Sequence, residues 1–325
     1  MDGFQHKILA AVRINCLWFL LLLSQAFSGF GQSVKTWLPS TGGAWTNAAN
    51  WSGGTLPVSG DEVVISSNQS APITAIPGLS LNNLTVSGNC SFEGPPSSSS
   101  LTVQGKFTLS PGFSLSLNNK ITLLFGAASK AVISGLLSTS NDIICNSDIA
   151  IGPDGIINGS GRFTLNAGAI LRIGSVNGIT LGNVAVGNIQ TTGARTYNAG
   201  ANYVYNGVSA QSMGDGFPTV LSTSGSLTID NPVSVTLPPV ARTISGNLIL
   251  LRGVFITTNG GPRLTLGANP YSVTTMVKRS GGSLSGVIQG SNWYEIEYTG
   301  ASKTTGDEWT GVGMRNLKVS LNATD

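Results

Sequence analysis

The sequence predicts an all-β protein: a right-handed parallel β-helix (β-solenoid) with an N-terminal capping segment. Three observations predict it. First, an apolar–polar–apolar phrase centred on Thr recurs at Leu101-Thr102-Val103, Ile121-Thr122-Leu123, Phe163-Thr164-Leu165, Ile179-Thr180-Leu181, Leu227-Thr228-Ile229 and Leu264-Thr265-Leu266. Such alternation marks a half-buried strand. Second, these copies and the related pieces Ile143-Ile144 and Leu248-Ile249-Leu250 follow one another about 16 to 22 residues apart, the spacing of a solenoid. Third, charged residues make up only 10% of the 325 residues, while 43 are Gly. Few Lys and Glu with many Gly disfavour helix and suit tight turns, and 41% hydrophobic content is enough to bury a core.

Residues 1–32 read as an export signal. Lys7 and Arg13 form a basic start, Leu17 to Leu23 is an unbroken apolar run, and small residues at Gly29 and Gly31 suit cleavage near Gly31-Gln32. A membrane span needs about 20 apolar residues, and Arg13 and Asn15 interrupt any window of that length, so no stable span is expected after cleavage. Cys16 precedes the apolar run and is badly placed for lipidation.

Residues 33–66 form a distinct opening block, with Trp45 and Trp51 six apart and Asn50 beside the second. The first coil of a solenoid exposes an apolar interior and an unpaired edge, so the block is expected to be a lid, with Trp supplying area. The alternative is a sugar platform in which Trp45 and Trp51 stack on pyranose rings. From 67 to 200 the strand phrases repeat. Phe107, Leu109, Phe113, Leu115 and Leu117 are spaced by two apart from the turn at Pro111-Gly112, which puts them on one face. The Ser97–Ser100 run reads as a flexible excursion from one coil. Cys90 and Cys145 lie nearly three coils apart, roughly 14 Å at 4.8 Å per coil, beyond disulfide reach of about 7 Å. Two separate buried thiols are expected.

After residue 200 a longer period of about 90 residues emerges. Tyr203-Val204-Tyr205 corresponds to Ile296-Glu297-Tyr298, Gly214-Asp215 to Gly306-Asp307, and Leu227-Thr228-Ile229 to Leu317-Lys318-Val319. Residues 201–290 are thus a first long unit and 291–325 part of a second, and the chain is expected to be a fragment of a longer array.

The opening block, together with Tyr203-Val204-Tyr205-Asn206-Gly207, Gly214-Asp215-Gly216-Phe217-Pro218 and Leu227-Thr228-Ile229-Asp230-Asn231, resembles the large secreted repeat proteins of Bacteroidota. The resemblance spans residues 33–325. It implies a right-handed parallel β-helix, an adhesin-like role at the cell surface and export by the type IX route. It brings no catalytic residues, and the C-terminal sorting domain of cargo on that route has no counterpart in this sequence.

The only histidine is His6, within the signal, so a mature chain has no Ser-His-Asp or Cys-His mechanism and no His-ligated zinc. Neither phosphate-loop nor nucleophile-elbow spacings occur, and no cofactor is expected. A net charge of +3 without basic runs argues against a nucleic-acid partner. Carboxylates are the remaining chemistry, because a glycosidase needs two of them about 5 to 10 Å apart. The local pairs are Asp61-Glu62, Glu295 with Glu297, and Asp307-Glu308. Glu295 and Glu297 are expected on an outward face with Ile296 inward, and Asp307-Glu308 in a turn. Asp142, Asp148 and Asp154 are spaced by six but fall on differing parts of a coil, and Arg162 and Arg172 have no evident acidic partner. The expectation is therefore a non-enzymatic, exported, adhesin-like or structural segment of a larger surface protein that meets glycans or other cell surfaces. A carbohydrate-active enzyme (polysaccharide lyase or hydrolase) and a passive spacer are the alternatives. Ligand identity and oligomeric state leave no mark in the sequence.

Overall fold

A side chain that alternates between apolar and polar along a strand commits one face to the interior, and here the same alternation returns on every coil. In the computed structural model, residues 32–325 are described except for 119, 183, 258–263, 270, 274, 291, 302–303 and 322–325. The expected signal, with His6 and Cys16, lies outside the described residues apart from Gln32. The unit Val34–Asp325 is a parallel β-solenoid of about 11 turns. Among the described residues the only helical pieces are three 3-10 turns, and no helix is long and apolar enough to cross a membrane.

One coil shows the construction. Asn83–Val86 lies in a long 15-stranded sheet, Cys90–Glu93 in a six-stranded sheet and Ser99–Val103 in a second six-stranded sheet; the chain then re-enters the long sheet at Lys106–Leu109. Stacking is in register: Leu84 sits on Phe107 and Val86 on Leu109, and Leu101 sits on Leu123 and Val103 on Phe125. The inward residues of all three walls are fully buried in one continuous cluster. Each such Leu, Ile, Val or Phe contributes roughly 1.5–3 kcal/mol. Five of the six Thr-centred phrases are strands, with the Thr half-buried in all but Thr228, which is buried, and Phe107, Leu109, Leu115 and Leu117 share the buried face.

The sixth phrase is a correction. Ile179–Leu181 belongs to an excursion between the strands Ile170–Ile173 and Arg195–Tyr197, outside any strand. Its alternation is broken by a polar anchor: Arg195 Nη1 donates to the Thr180 carbonyl (3.1 Å) and to its Oγ1 (2.8 Å), which buries Thr180 and leaves Leu181 exposed. The Ser run is a second correction. Ser99 and Ser100 are strand residues, paired with Ile121 and Thr122, because the next coil supplies a ready-made edge. Cys90 and Cys145 are unpaired buried thiols in different six-stranded sheets. Burial pushes the Cys90 thiol up to about 12, and that of Cys145 well above its usual value.

The opening block is the lid. Val34–Thr36 pairs in parallel with Glu62–Val64, and Trp37 bridges Trp51. The Trp51 ring centroid lies 5.0 Å from that of Trp37 and 4.5 Å from that of Trp45, both edge-to-face, and Trp45 reaches Phe92 of the solenoid at 6.0 Å. Trp51 Nε1 donates to the Trp45 carbonyl (2.8 Å) and Trp37 Nε1 to Gln69 Oε1 (3.0 Å).

Beyond residue 200 two walls merge into long strands, Ser226–Thr236 and Asn247–Ile256, whose register shifts mark the corner. A four-stranded sheet forms the remaining wall. The long repeat has a structural basis here. Tyr205 and Tyr298 both point inward, and each hydroxyl is received by the loop bearing the Gly-Asp pair: Tyr205 by the Met213 carbonyl (2.9 Å) and Tyr298 by Glu308 Oε1 (2.6 Å). The long sheet runs unbroken past residues 200 and 290, since Ile170–Ile173 pairs with Asn202–Tyr205 and Thr275–Arg279 with Tyr294–Tyr298.

Candidate binding surface

What the solenoid presents laterally is the outward half of each strand. On the long sheet one such row runs Val64, Thr85, Thr108, Val132, Ala150, Arg172, each in register with the next. Several charges on this surface are closed between adjacent coils. Arg162 grips Asp142 through Nε (2.8 Å) and Nη2 (2.6 Å), Arg172 grips Asp148 through both nitrogens at 2.9 Å, and Arg252 Nε reaches Asp230 (2.5 Å). The expectation that Arg162 and Arg172 lack acidic partners is therefore corrected: the partners lie 20 and 24 residues away, one coil back, where linear spacing does not show them. The Arg162 guanidinium holds the Asp142 carboxyl below its usual value, chiefly by its hydrogen bond and with help from its charge, against the opposing effect of burial.

The three local carboxylate pairs do not converge. Asp61 Oδ2 accepts from the Val58 N–H (3.0 Å), closing a turn, while Glu62 Oε2 accepts from Asn83 (3.2 Å). Glu295 and Glu297 do face outward with Ile296 buried between them, and each is taken up by the next coil, Glu295 by Asn316 and Glu297 by Lys318 (2.6 Å). Asp307 and Glu308 sit in a 3-10 turn but part company. Asp307 Oδ2 accepts from the Gly286 N–H (2.7 Å), and Glu308 is fully buried. Glu308 Oε1 is met by Arg279 Nη1, Tyr298 Oη (2.6 Å) and the Gly306 N–H (3.0 Å). Burial works against this carboxylate, but the hydrogen bonds from Tyr298 and Gly306 and the Arg279 charge prevail, and its pKa lies below the ordinary value. The turn expected from the sequence is there, but the burial of Glu308 was not legible, because the Arg279 partner 29 residues away is again one coil removed.

The sugar-platform reading of Trp45 and Trp51 is corrected outright. Both are 1% exposed and packed edge-to-face inside the lid, so neither offers a ring face to a ligand. A more open aromatic pair occurs at the other end of the chain. Tyr271, which is exposed, half-buried Trp293 and exposed Arg315 occupy one corner on three successive coils. The Tyr271 and Trp293 ring centroids lie 6.4 Å apart at 70°, and Arg315 Cζ sits 4.2 Å from the Trp293 ring centroid. Tyr271 is 82% exposed.

Local structure holds each member in place. Asn269 Oδ1 accepts from the Tyr271 N–H (2.8 Å), an Asx turn that sets the loop. Asn292 Nδ2 donates to the Gly267 carbonyl (2.8 Å), tying the segment before Trp293 to the coil below. Gly267 has φ +86°, and a Cβ there would come within 2.6 Å of the Trp293 carbonyl, so only Gly allows this approach. Arg315 is the extra residue of a β-bulge: Tyr294 pairs with Met314 and Glu295 with Asn316, leaving Arg315 unmatched. Bulges re-aim side chains, and this one puts the guanidinium on the indole face. Sequence reasoning missed the trio, although its even spacing of one residue per coil was visible.

A second feature is a cavity of ≈ 190 Å³ lined by Tyr298, Thr305, Trp309, Leu317, Val319 and Leu321. Leu317 and Val319 stack on the buried Ile296 and Tyr298 but are themselves exposed, because no further described coil covers them. No family model matches the chain, and neither a curated protein nor a solved structure does.

Proposed function

We propose that this chain is an exported, non-enzymatic, adhesin-like β-helix whose lateral surface contacts glycans or other cell surfaces. One observation supports this above the others: several carboxylates of the lateral walls are each engaged by a residue of an adjacent coil, in closed pairs such as Asp142 with Arg162, Asp148 with Arg172 and Glu297 with Lys318. General acid–base work on a glycosidic bond needs two carboxyls facing one another across a cleft, whereas closed pairs along a regular wall serve rigidity and leave polar rows such as Ser91, Ser116, Ser138 and Asn158, each in register with the next, for contact. The signal-like segment at residues 1–32 and the resemblance to secreted Bacteroidota repeat proteins support the extracellular setting.

The test is to incubate the purified chain with neutral and acidic polysaccharides, with and without calcium. Retention on at least one polymer or on intact cells, with no change in polymer length, is the expected result. Polymer cleavage would establish the carbohydrate-active alternative, and failure to be retained on every surface would establish the passive spacer.

A further inference from the structure

The exposed Arg residues of the lateral walls follow one rule and Arg315 departs from it. Arg162, Arg172 and Arg252 each close onto an Asp of the neighbouring coil. Arg315 has no carboxylate or hydrogen-bond partner among the described residues; it lies on the face of Trp293 with Cζ 4.2 Å from the ring centroid. A guanidinium held over a ring face by cation–π attraction keeps N–H donors free for a further partner. Those of Arg315 are held at this corner and unused. Stacking also removes rotamer freedom that an isolated surface Arg would lose on binding.

Beside this fork stands Tyr271, its ring at 70° to that of Trp293 and 82% exposed, so that a ring face is open to solvent. A phenol face suits the C–H face of a sugar ring, and a planar Arg fork suits a carboxylate or sulfate, bidentately. From Tyr271 across Trp293 to Arg315 is a step of two coils, about 10 Å, a span that holds neighbouring rings of a polymer. We infer that Tyr271, Trp293 and Arg315 form a binding site for an acidic polysaccharide: one sugar ring stacks on Tyr271, an anionic group of the same chain is received by Arg315, and Trp293 positions the guanidinium. This inference rests on the surface-contact reading above and gives its ligand class. Asn269, Asn292, Gly267 and the bulge hold the site before any ligand arrives, which is the arrangement that reduces ordering cost.

The test measures binding of the full chain to polygalacturonate, to its fully methyl-esterified form and to dextran sulfate by affinity electrophoresis. Arg315→Gln and Tyr271→Ala are compared with Lys106→Gln, an exposed cation on a distant coil, and thermal melts verify folding. The expected result is tighter binding of polygalacturonate than of its ester, weakened about tenfold or more by Arg315→Gln and by Tyr271→Ala and unchanged by Lys106→Gln. An equal, Arg315-dependent affinity for dextran sulfate would identify sulfate as an acceptable anion at the same site. Binding that ignores both site variants, falls equally with Lys106→Gln, or favours the ester would overturn the inference while leaving the adhesin-like reading intact. Cleavage of a polymer would overturn that reading and leave the site testable by the same variants.

Discussion

At the scale of residues, Glu308 carries the largest electrostatic commitment in the described chain. It is fully buried against Arg279, Tyr298 and Gly306. Replacing Arg279 with Met strands the carboxylate and is expected to cost about 3–5 kcal/mol, read as a fall in urea midpoint; replacing Glu308 and Arg279 together with Gln and Met should recover much of the loss. The sign with pH follows from the depressed Glu308 pKa, ordinarily 4.5. Its stabilisation is complete above that ordinary value and is lost as pH falls below it towards the folded-state value. Thermal melts of the wild type should therefore fall across that interval more steeply than those of Glu308→Gln. Trp45, buried among Trp37, Trp51 and Phe92, should cost about 3–5 kcal/mol on truncation to Ala without altering glycan retention, because its role is in the lid. Breaking the surface pair Asp142–Arg162, whose Arg is solvated, should leave the urea midpoint almost unchanged.

Elements show what the sequence could and could not reveal. The Thr-centred strands were legible because each carries its own period of two, and their stacking followed from even spacing. Ile179–Leu181 has the same local pattern yet is a loop, since the competing hydrogen bonds come from Arg195, fifteen residues on. Ser99 and Ser100 have loop composition yet are strand, because parallel pairing to Ile121 and Thr122 outweighs weak propensity. The Arg–Asp closures and Glu308–Arg279 were invisible because their members meet only after a full turn. The trio of Tyr271, Trp293 and Arg315 could have been found by asking which aromatic residues recur at one coil's spacing, but the bulge that aims Arg315 has no signature in a single sequence. Gly267→Ala is the element-level prediction. It forces an L residue to φ +86° and against the Trp293 carbonyl at 2.6 Å, at a cost of roughly 1–2 kcal/mol, and should weaken polygalacturonate binding along with Arg315→Gln because the corner shifts.

For the molecule between Val34 and Leu321, the account depends on one continuous apolar column built by coils in register. The thiols report its integrity: Cys90 and Cys145 should resist alkylation in native buffer and react fully once unfolded, as buried and undissociated thiols do. The coil stacking itself is open to a ruler. Thr85 leads in register through Thr108, Val132 and Ala150 to Arg172, and on through Val204 and Thr228 to Ile249 and Lys278. Spin labels placed at Thr85 and, in turn, at Arg172, Ile249 and Lys278, measured by double electron–electron resonance, should lie about 19, 34 and 38 Å apart at 4.8 Å per coil. Distances that rise linearly with coil number would establish the stacked column; distances that level off or reverse would contradict it.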